Sequence, residues 1–442
     1  MRNKKPQFLQ FAAVSALALL ALSACSSDDK VPLAGERIPV IQFNSSDNID
    51  EGADQIVLEL APPAANTAWP QQGGAATHMP GHVALNNDAL KQVWRSSIGR
   101  GSVKSSKLIT APIIANNMVF ASDTRGEISA YNFENGKRIW NINVIPNKEQ
   151  ATISPGLTFG NATLFASNGV GSVLAINPEN GETIWSRDMG QPVRGAPTYQ
   201  DGRLYLITLN DETIALDVRN GEQLWRHTGI QESAGLLGTP SPAAEGSVVI
   251  TAYSSGDVVA LRAETGQEAW GDNLTGVAEF QSRTVTQLSG FRGHPVLDQD
   301  LVIAGNSATR MVAVHVPSGE RVWQREFGIV STPWVSGNSV FAVTAQNALV
   351  ALNRDTGLIR WTFALPRFED SDKDYPIFWN GPILAGGRLL LVGSNGQLLE
   401  ITPDTGKEIR TTKLAGGVMV APIVAQNTLL ILTDSGDMVA YK

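Results

Sequence analysis

A second cysteine is missing from this chain, and so is any sustained helical period. Cys25 is the single cysteine in 442 residues, so no intrachain disulfide can form even in an oxidising compartment. Basic clusters are scarce too. The 34 Lys and Arg stand against 42 Asp and Glu, a formal charge of −8, and no arginine-rich run occurs, which removes the electrostatic footprint a nucleic-acid partner needs. Apolar runs are all shorter than the ~18 residues that would cross a bilayer as a helix. Catalytic signatures are thin. "TGKEI" (405–409) lacks the Ser or Thr and the glycine frame of a phosphate loop. His78 and His82 are spaced i, i+4, but Pro80 lies between them and argues against a helical metal site. His227, His294 and His315 have no partner spacing. Asp370, Asp372 and Asp374 are spaced like the start of a calcium loop; Tyr375 takes the place of its glycine and Gly381 that of its glutamate, so they read as a solvated acidic run. These residues lead to an expectation of no catalytic residue, no metal and no cofactor.

What is present begins with a positive start at Arg2, Lys4 and Lys5 and an apolar stretch over 11–22. That is the pattern of a secretory signal. It ends in Leu22-Ser23-Ala24-Cys25, which resembles a bacterial lipobox. The resemblance implies cleavage after residue 24 and lipidation of Cys25, with several acyl chains giving lasting attachment to a membrane. Ser26 at the next position resembles outer-membrane sorting in enteric bacteria. Cleavage leaves 31 basic against 42 acidic residues, a charge of about −11. Residues 25–88 show no steady period and are rich in Pro, Gly, Ala and acid, the composition of a flexible or loosely docked tether. Short β-like pieces at 38–43 and 55–60 offer places where it could pack on the body.

From residue 89 the text repeats. A proline recurs at Pro112, Pro155, Pro197, Pro242, Pro295, Pro333, Pro382 and Pro422. A tryptophan follows 28 residues later at Trp140, Trp225, Trp270, Trp323 and Trp361, and 30 later at Trp185. For Pro382 that position is Arg410. An alanine recurs 18 residues after most of these prolines; Glu400 is the exception. Between the markers, period-two alternation and Asn-, Asp- and Gly-containing turns predict four short strands per unit. Units of 40–50 residues built this way are propeller blades. The last unit lacks its fourth strand, which "LKQVWRSSIG" (90–99) can supply with Trp94. The expectation is an all-β, eight-bladed propeller over 89–442, closed by its amino-terminal strand. The turn glycine supplies a positive φ, and the seven tryptophans, Trp94 included, are expected to seal seams between blades.

"ALDVRNGEQLW", "AINPENGETIW" and "ALRAETGQEAW" resemble the Ala-x-Asp-x-x-Thr-Gly-x-x-x-Trp docking motif of pyrroloquinoline-quinone-type propeller repeats. Two families share it. The quinoprotein dehydrogenases hold a quinone over calcium beside a disulfide of adjacent cysteines, which this chain cannot form. The other family, the BamB lipoproteins of the outer-membrane β-barrel assembly machinery, is similar in lipobox, tether and single eight-bladed ring. That resemblance implies a non-enzymatic periplasmic scaffold. It would dock on the periplasmic domains of the barrel-inserting subunit and assist unfolded β-barrel clients.

The spacing from proline to tryptophan is nearly constant, so function is expected in the variable connections that follow. The longest are 271–294 and 362–381. By resemblance, docking would use 226–241 and 271–294. Leu236 matches the family's leucine, whereas Leu237 stands where an arginine is expected. Phe291 and Arg292 precede Pro295 where the family has aspartates nearby. Leu236, Leu237, Phe291 and Arg292 are therefore the partner-binding candidates, the other reading being that they pack their own loops. Phe368, Tyr375, Phe378 and Trp379 offer a further aromatic patch, with the same alternative.

Overall fold

The computed structural model describes residues 48–145, 151–193, 195–231, 240–275, 290–370 and 375–442, Asp54 by its backbone alone. Period-two patterning produces strands of three to seven residues, and these assemble into eight four-stranded antiparallel sheets set in a ring. Blade one comprises Ile113–Ala115, Met118–Ser122, Glu127–Asn132 and Arg138–Asn143. Blades two to seven repeat it over 156–188, 198–228, 243–273, 296–325, 334–364 and 379–413. Blade eight joins Ile423–Ala425, Thr428–Leu432 and Asp437–Tyr441 to Gln92–Ser97 from the other end of the chain. Trp94 lies opposite Ala440 and Ser96 opposite Met438, the closure expected from the repeat. Seven of the eight prolines stand one residue ahead of a first strand, where no ladder donor is lost; Pro382 instead falls at a register shift between Asn380 and Ile383.

The tryptophan motif is a seam device with three parts. In each of seven blades the indole pairs with the third-strand alanine opposite it and, because that alanine is small, lies across it toward the second strand. Trp140 reaches Phe120 in this way, with ring centroids 6.0 Å apart, and Trp225 reaches Tyr205 at 5.8 Å. The indole N–H then crosses the seam. Trp94 donates to Phe133 O of blade one at 2.9 Å, Trp140 to Pro178 O of blade two at 2.8 Å and Trp225 to Ala263 O of blade four at 2.9 Å. Trp185, Trp270, Trp323 and Trp361 do the same to Val218, Val316, Arg354 and Pro403. The ring also lies against the turn glycine of that next blade. A Cβ on Gly221, whose φ is +70°, would come within 2.8 Å of the Trp185 ring. The glycine is thus required for its backbone angle and for the close approach of the indole.

Antiparallel order puts the first-to-second and third-to-fourth hairpins on one face of the ring, and the connections between blades on the other. The hairpin face carries residues 48–88. Composition suggested a loose tether there, but over the described part the segment is docked along its length. Asp50 is clamped at the rim: Ile359 N donates to its carboxylate at 2.6 Å and Arg325 pairs with it at 3.0 Å. The chain then crosses blade six, where Glu59 N donates to Asn338 Oδ1 at 2.9 Å, and turns inward.

At the centre the ribbon visits the first strands in ring order. Asn66 Nδ2 donates to Val424 O of blade eight at 2.6 Å. Trp69 exchanges two backbone hydrogen bonds of 2.8 Å with Ile114 of blade one, and Phe159 N of blade two donates to Pro70 O at 2.7 Å. At blade three the side-chain amide of Gln71 replaces a peptide group, giving to Tyr199 O at 3.1 Å and accepting from Tyr199 N at 2.8 Å. Ala244 N of blade four donates to Ala76 O at 2.8 Å and Leu297 N of blade five to Thr77 O at 2.9 Å. Trp334 Nε1 of blade six donates to Gly81 O at 3.0 Å, and Val83 N donates to Leu384 O of blade seven at 3.2 Å. These pairings are long-range, so no local period announces them.

Candidate functional site

The connecting-loop face is where this repeat departs from itself. Seven of the eight connections spring from an outer strand held by an indole seam, and each leads to a first strand that the ribbon touches. The two loops singled out by length differ in what they expose.

In the 271–294 connection, Phe291 is only 4% exposed and clusters with Leu274, Leu297 and Val302. The expectation that Phe291 presents an apolar surface to a partner is therefore corrected: its ring belongs to the core shared by blades four and five. Arg292, next to it, is exposed. Gly293 is pressed so closely on the Ser331 backbone that a side chain there would collide, which fixes the loop's return. Leu236 and Leu237 lie outside the described residues. Cys25 does too.

His294 follows, and its ring turns toward the axis. Its Nδ1 accepts from Ser241 N at 2.8 Å, and its ring lies tilted against His78 of the ribbon with centroids 4.7 Å apart and planes 34° from parallel. His78 Nδ1 in turn donates to Pro295 O at 2.8 Å. Burial holds His78 at about 4, the bond to Pro295 opposing only in part; burial, and then the nearby His78, hold His294 well below its ordinary value. Both imidazoles are neutral at physiological pH.

The 362–381 connection is a hairpin excursion. Ile377 N donates to Arg367 O and Glu369 N to Tyr375 O, each at 2.9 Å. Of the two readings open for Trp379, the ring takes the second: it is buried, with Nε1 donating to Pro366 O at 2.9 Å, and anchors the excursion from below. Phe368, Tyr375 and Phe378 are exposed. Phe378 is held by Ser394, whose hydroxyl accepts from Phe378 N at 3.0 Å, and the next connection brings exposed Met419 to the same turn.

A polar relay at the seam of blades three and four invites comparison with a catalytic array. His227 Nδ1 meets Tyr253 OH at 2.8 Å, and that hydroxyl meets Thr213 Oγ1 at 2.7 Å. Glu268 lies 3.5 Å from His227 Nε2. Burial raises the Tyr253 phenol far above its ordinary value, so it stays protonated and links the His227 ring to the Thr213 hydroxyl rather than acting as a base. The relay satisfies polar groups across a seam. Spacing along the chain could not reveal it, since its members lie on different strands.

BamB from Salmonella typhimurium is 27% identical over 79% of this chain and 88% of its own length. An uncharacterised protein of Rickettsia prowazekii is 25% identical over 62% of this chain and 66% of its own length. Among solved structures, BamB from Moraxella catarrhalis superposes with a TM-score of 0.67 at 17% identity, covering 80% of this chain and all of that one. A quinohemoprotein alcohol dehydrogenase from Pseudomonas putida gives a TM-score of 0.66 at 11% identity, covering 88% of this chain and 81% of its own, a likeness of fold alone. The profile of the outer membrane protein assembly factor BamB family matches residues 75–156 and 146–363, most of the repeating body, and the chain belongs to that family.

Proposed function

We propose that this protein is a non-enzymatic scaffold of outer-membrane protein assembly, lipidated at Cys25, held at the outer membrane and facing the periplasm. It docks through its connecting-loop face on the periplasmic domains of the barrel-inserting subunit and assists folding of unfolded β-barrel clients. The observation that carries the reading is family membership over an intact eight-seam ring, supported by relatives whose names state outer membrane protein assembly. Leu236, Leu237 and Arg292 are the proposed contact residues; buried Phe291 is not among them. The quinoprotein alternative has only distant fold likeness behind it.

Affinity purification of the lipidated protein tests this. The wild type is expected to retain the barrel-inserting subunit, and Leu236→Asp combined with Arg292→Glu to lose most of it. Retention by the double variant would remove the contact assignment; no retention by the wild type would remove the functional reading. Replacing Cys25 with Ser should release the protein from the membrane fraction.

A further inference from the structure

In every blade the first strand is the last member of its sheet on the axial side, so its outer edge offers unpaired backbone groups to the channel. Edges of this kind bind extended polypeptide. Here one or both of these groups are taken on seven of the eight first strands, and on blade six the Trp334 indole bonds to the ribbon instead. Between Asn66 and Val83 the chain makes one circuit past all eight first strands, and its hydrogen bonds fall at equivalent places near the first hairpins. The Trp69 ring is 2% exposed and stacks on Trp334 with centroids 6.3 Å apart. Those residues belong to the circuit's contacts with blades one and six, which are not neighbours in the ring, so the aromatic pair lies across the channel mouth. Gly74 has a φ of +84°, and a Cβ there would lie 3.0 Å from the Trp69 ring; Gly73, with a φ of +68°, meets His78 in the same way at 2.9 Å. The ribbon's glycines fit it to this seat.

We propose that residues 64–85 are an intramolecular ligand of the axis. They form a built-in strap that occupies axial edge groups on seven of the eight first strands, closes the hairpin-side mouth to any other extended chain and leaves polypeptide partners the connecting-loop face. Gln71 shows how far the fit extends. At blade three, where the ribbon backbone does not supply the bonds, a side-chain amide supplies the same donor and acceptor. This inference stands on the ribbon's own geometry and does not need the assembly function.

Hydrogen exchange on the full-length protein tests it. The amides of Ile114, Phe159, Ala244 and Leu297 are expected to be as protected as those of interior strands. Gln71→Leu should speed exchange at Tyr199 by roughly fivefold or more, the equivalent of one lost hydrogen bond, and leave Ile114 unchanged. A second arm uses a labelled synthetic peptide of residues 62–86. It should bind the wild type at least tenfold more weakly than Trp69→Ala/His78→Ala, in which the strap is loosened, and on that variant it should restore protection at Ala244. Rapid exchange of the first-strand amides in the wild type would overturn the proposal, as would equal peptide binding by both proteins. If the double variant fails to fold, the Gln71→Leu measurement decides alone.

Discussion

At the scale of single residues, the repeated "NG…W" and "TG…W" texts encode contact between blades rather than chemistry. The glycine meets two demands at once. Its left-handed backbone is strained for any residue with a Cβ, and the indole of the preceding blade occupies the space a methyl group would need. Gly221→Ala should therefore destabilise the ring by about 2–3 kcal/mol, more than an ordinary turn substitution. Chemical denaturation followed by tryptophan fluorescence measures this; a loss below about 0.5 kcal/mol would mean that Trp185 moves aside freely. The alanine of the motif is legible for the same reason once the packing is known, since a larger side chain would lift the indole off its second-strand neighbour.

At the scale of elements, the one seam without tryptophan is explained by how the ring closes. An indole on blade seven would need a third-to-fourth turn on blade eight, but those two strands come from opposite ends of the chain and share no hairpin. With no turn carbonyl to receive it, the Ala–Trp pair is replaced by Glu400 and Arg410 in the same cross-strand position. Arg410 Nε donates to Glu400 Oε1 at 2.7 Å, and Arg388 Nε forms an ion pair with Oε2 at 2.6 Å. Arg388 Nη2 then donates to Asn86 O at 2.7 Å, on the ribbon just before the closing strand. One guanidinium thus ties blade seven to the ribbon that leads into the closing strand. Glu400 and Arg388 are buried, so Glu400→Ala would leave a cation without its counter-ion, at a cost of about 3–5 kcal/mol. Thermal unfolding checks it. A change under about 1 kcal/mol would show that the two arginines find water or other partners instead.

At the scale of the whole molecule, ring and ribbon meet at the packed imidazoles of His78 and His294. Protonation of His294 at Nδ1 would set a donor against the Ser241 N–H, and a charge on His78 would be buried beside it. The sign follows from linkage. His78 has a folded value of about 4, below its ordinary 6.5, so the unfolded chain binds the proton first as pH falls. The stability this pair contributes is complete above pH 6.5 and is lost progressively toward pH 4. For His78 alone the span corresponds to about 3 kcal/mol. Apart from the effect of His78 on His294, burial is what lowers both rings. His78→Phe keeps a ring in place and should flatten the stability profile between pH 6.5 and 4 relative to wild type, as read from urea midpoints at several pH values. Parallel profiles for the two proteins would show that the pair does not report on folding.

The sequence by itself determined the number of blades, the place where the ring closes and the seven indole seams, because each of these depends on residues at fixed local spacing. Only the tertiary structure decided that Phe291 and Trp379 are buried, that Glu400 and Arg410 answer a missing turn, and that an aperiodic, proline-rich segment circles the axis. Those outcomes rest on partners up to several hundred residues away, and a backbone edge left open by one part of the chain selects its occupant by hydrogen bonding rather than by any pattern in the occupant's own text.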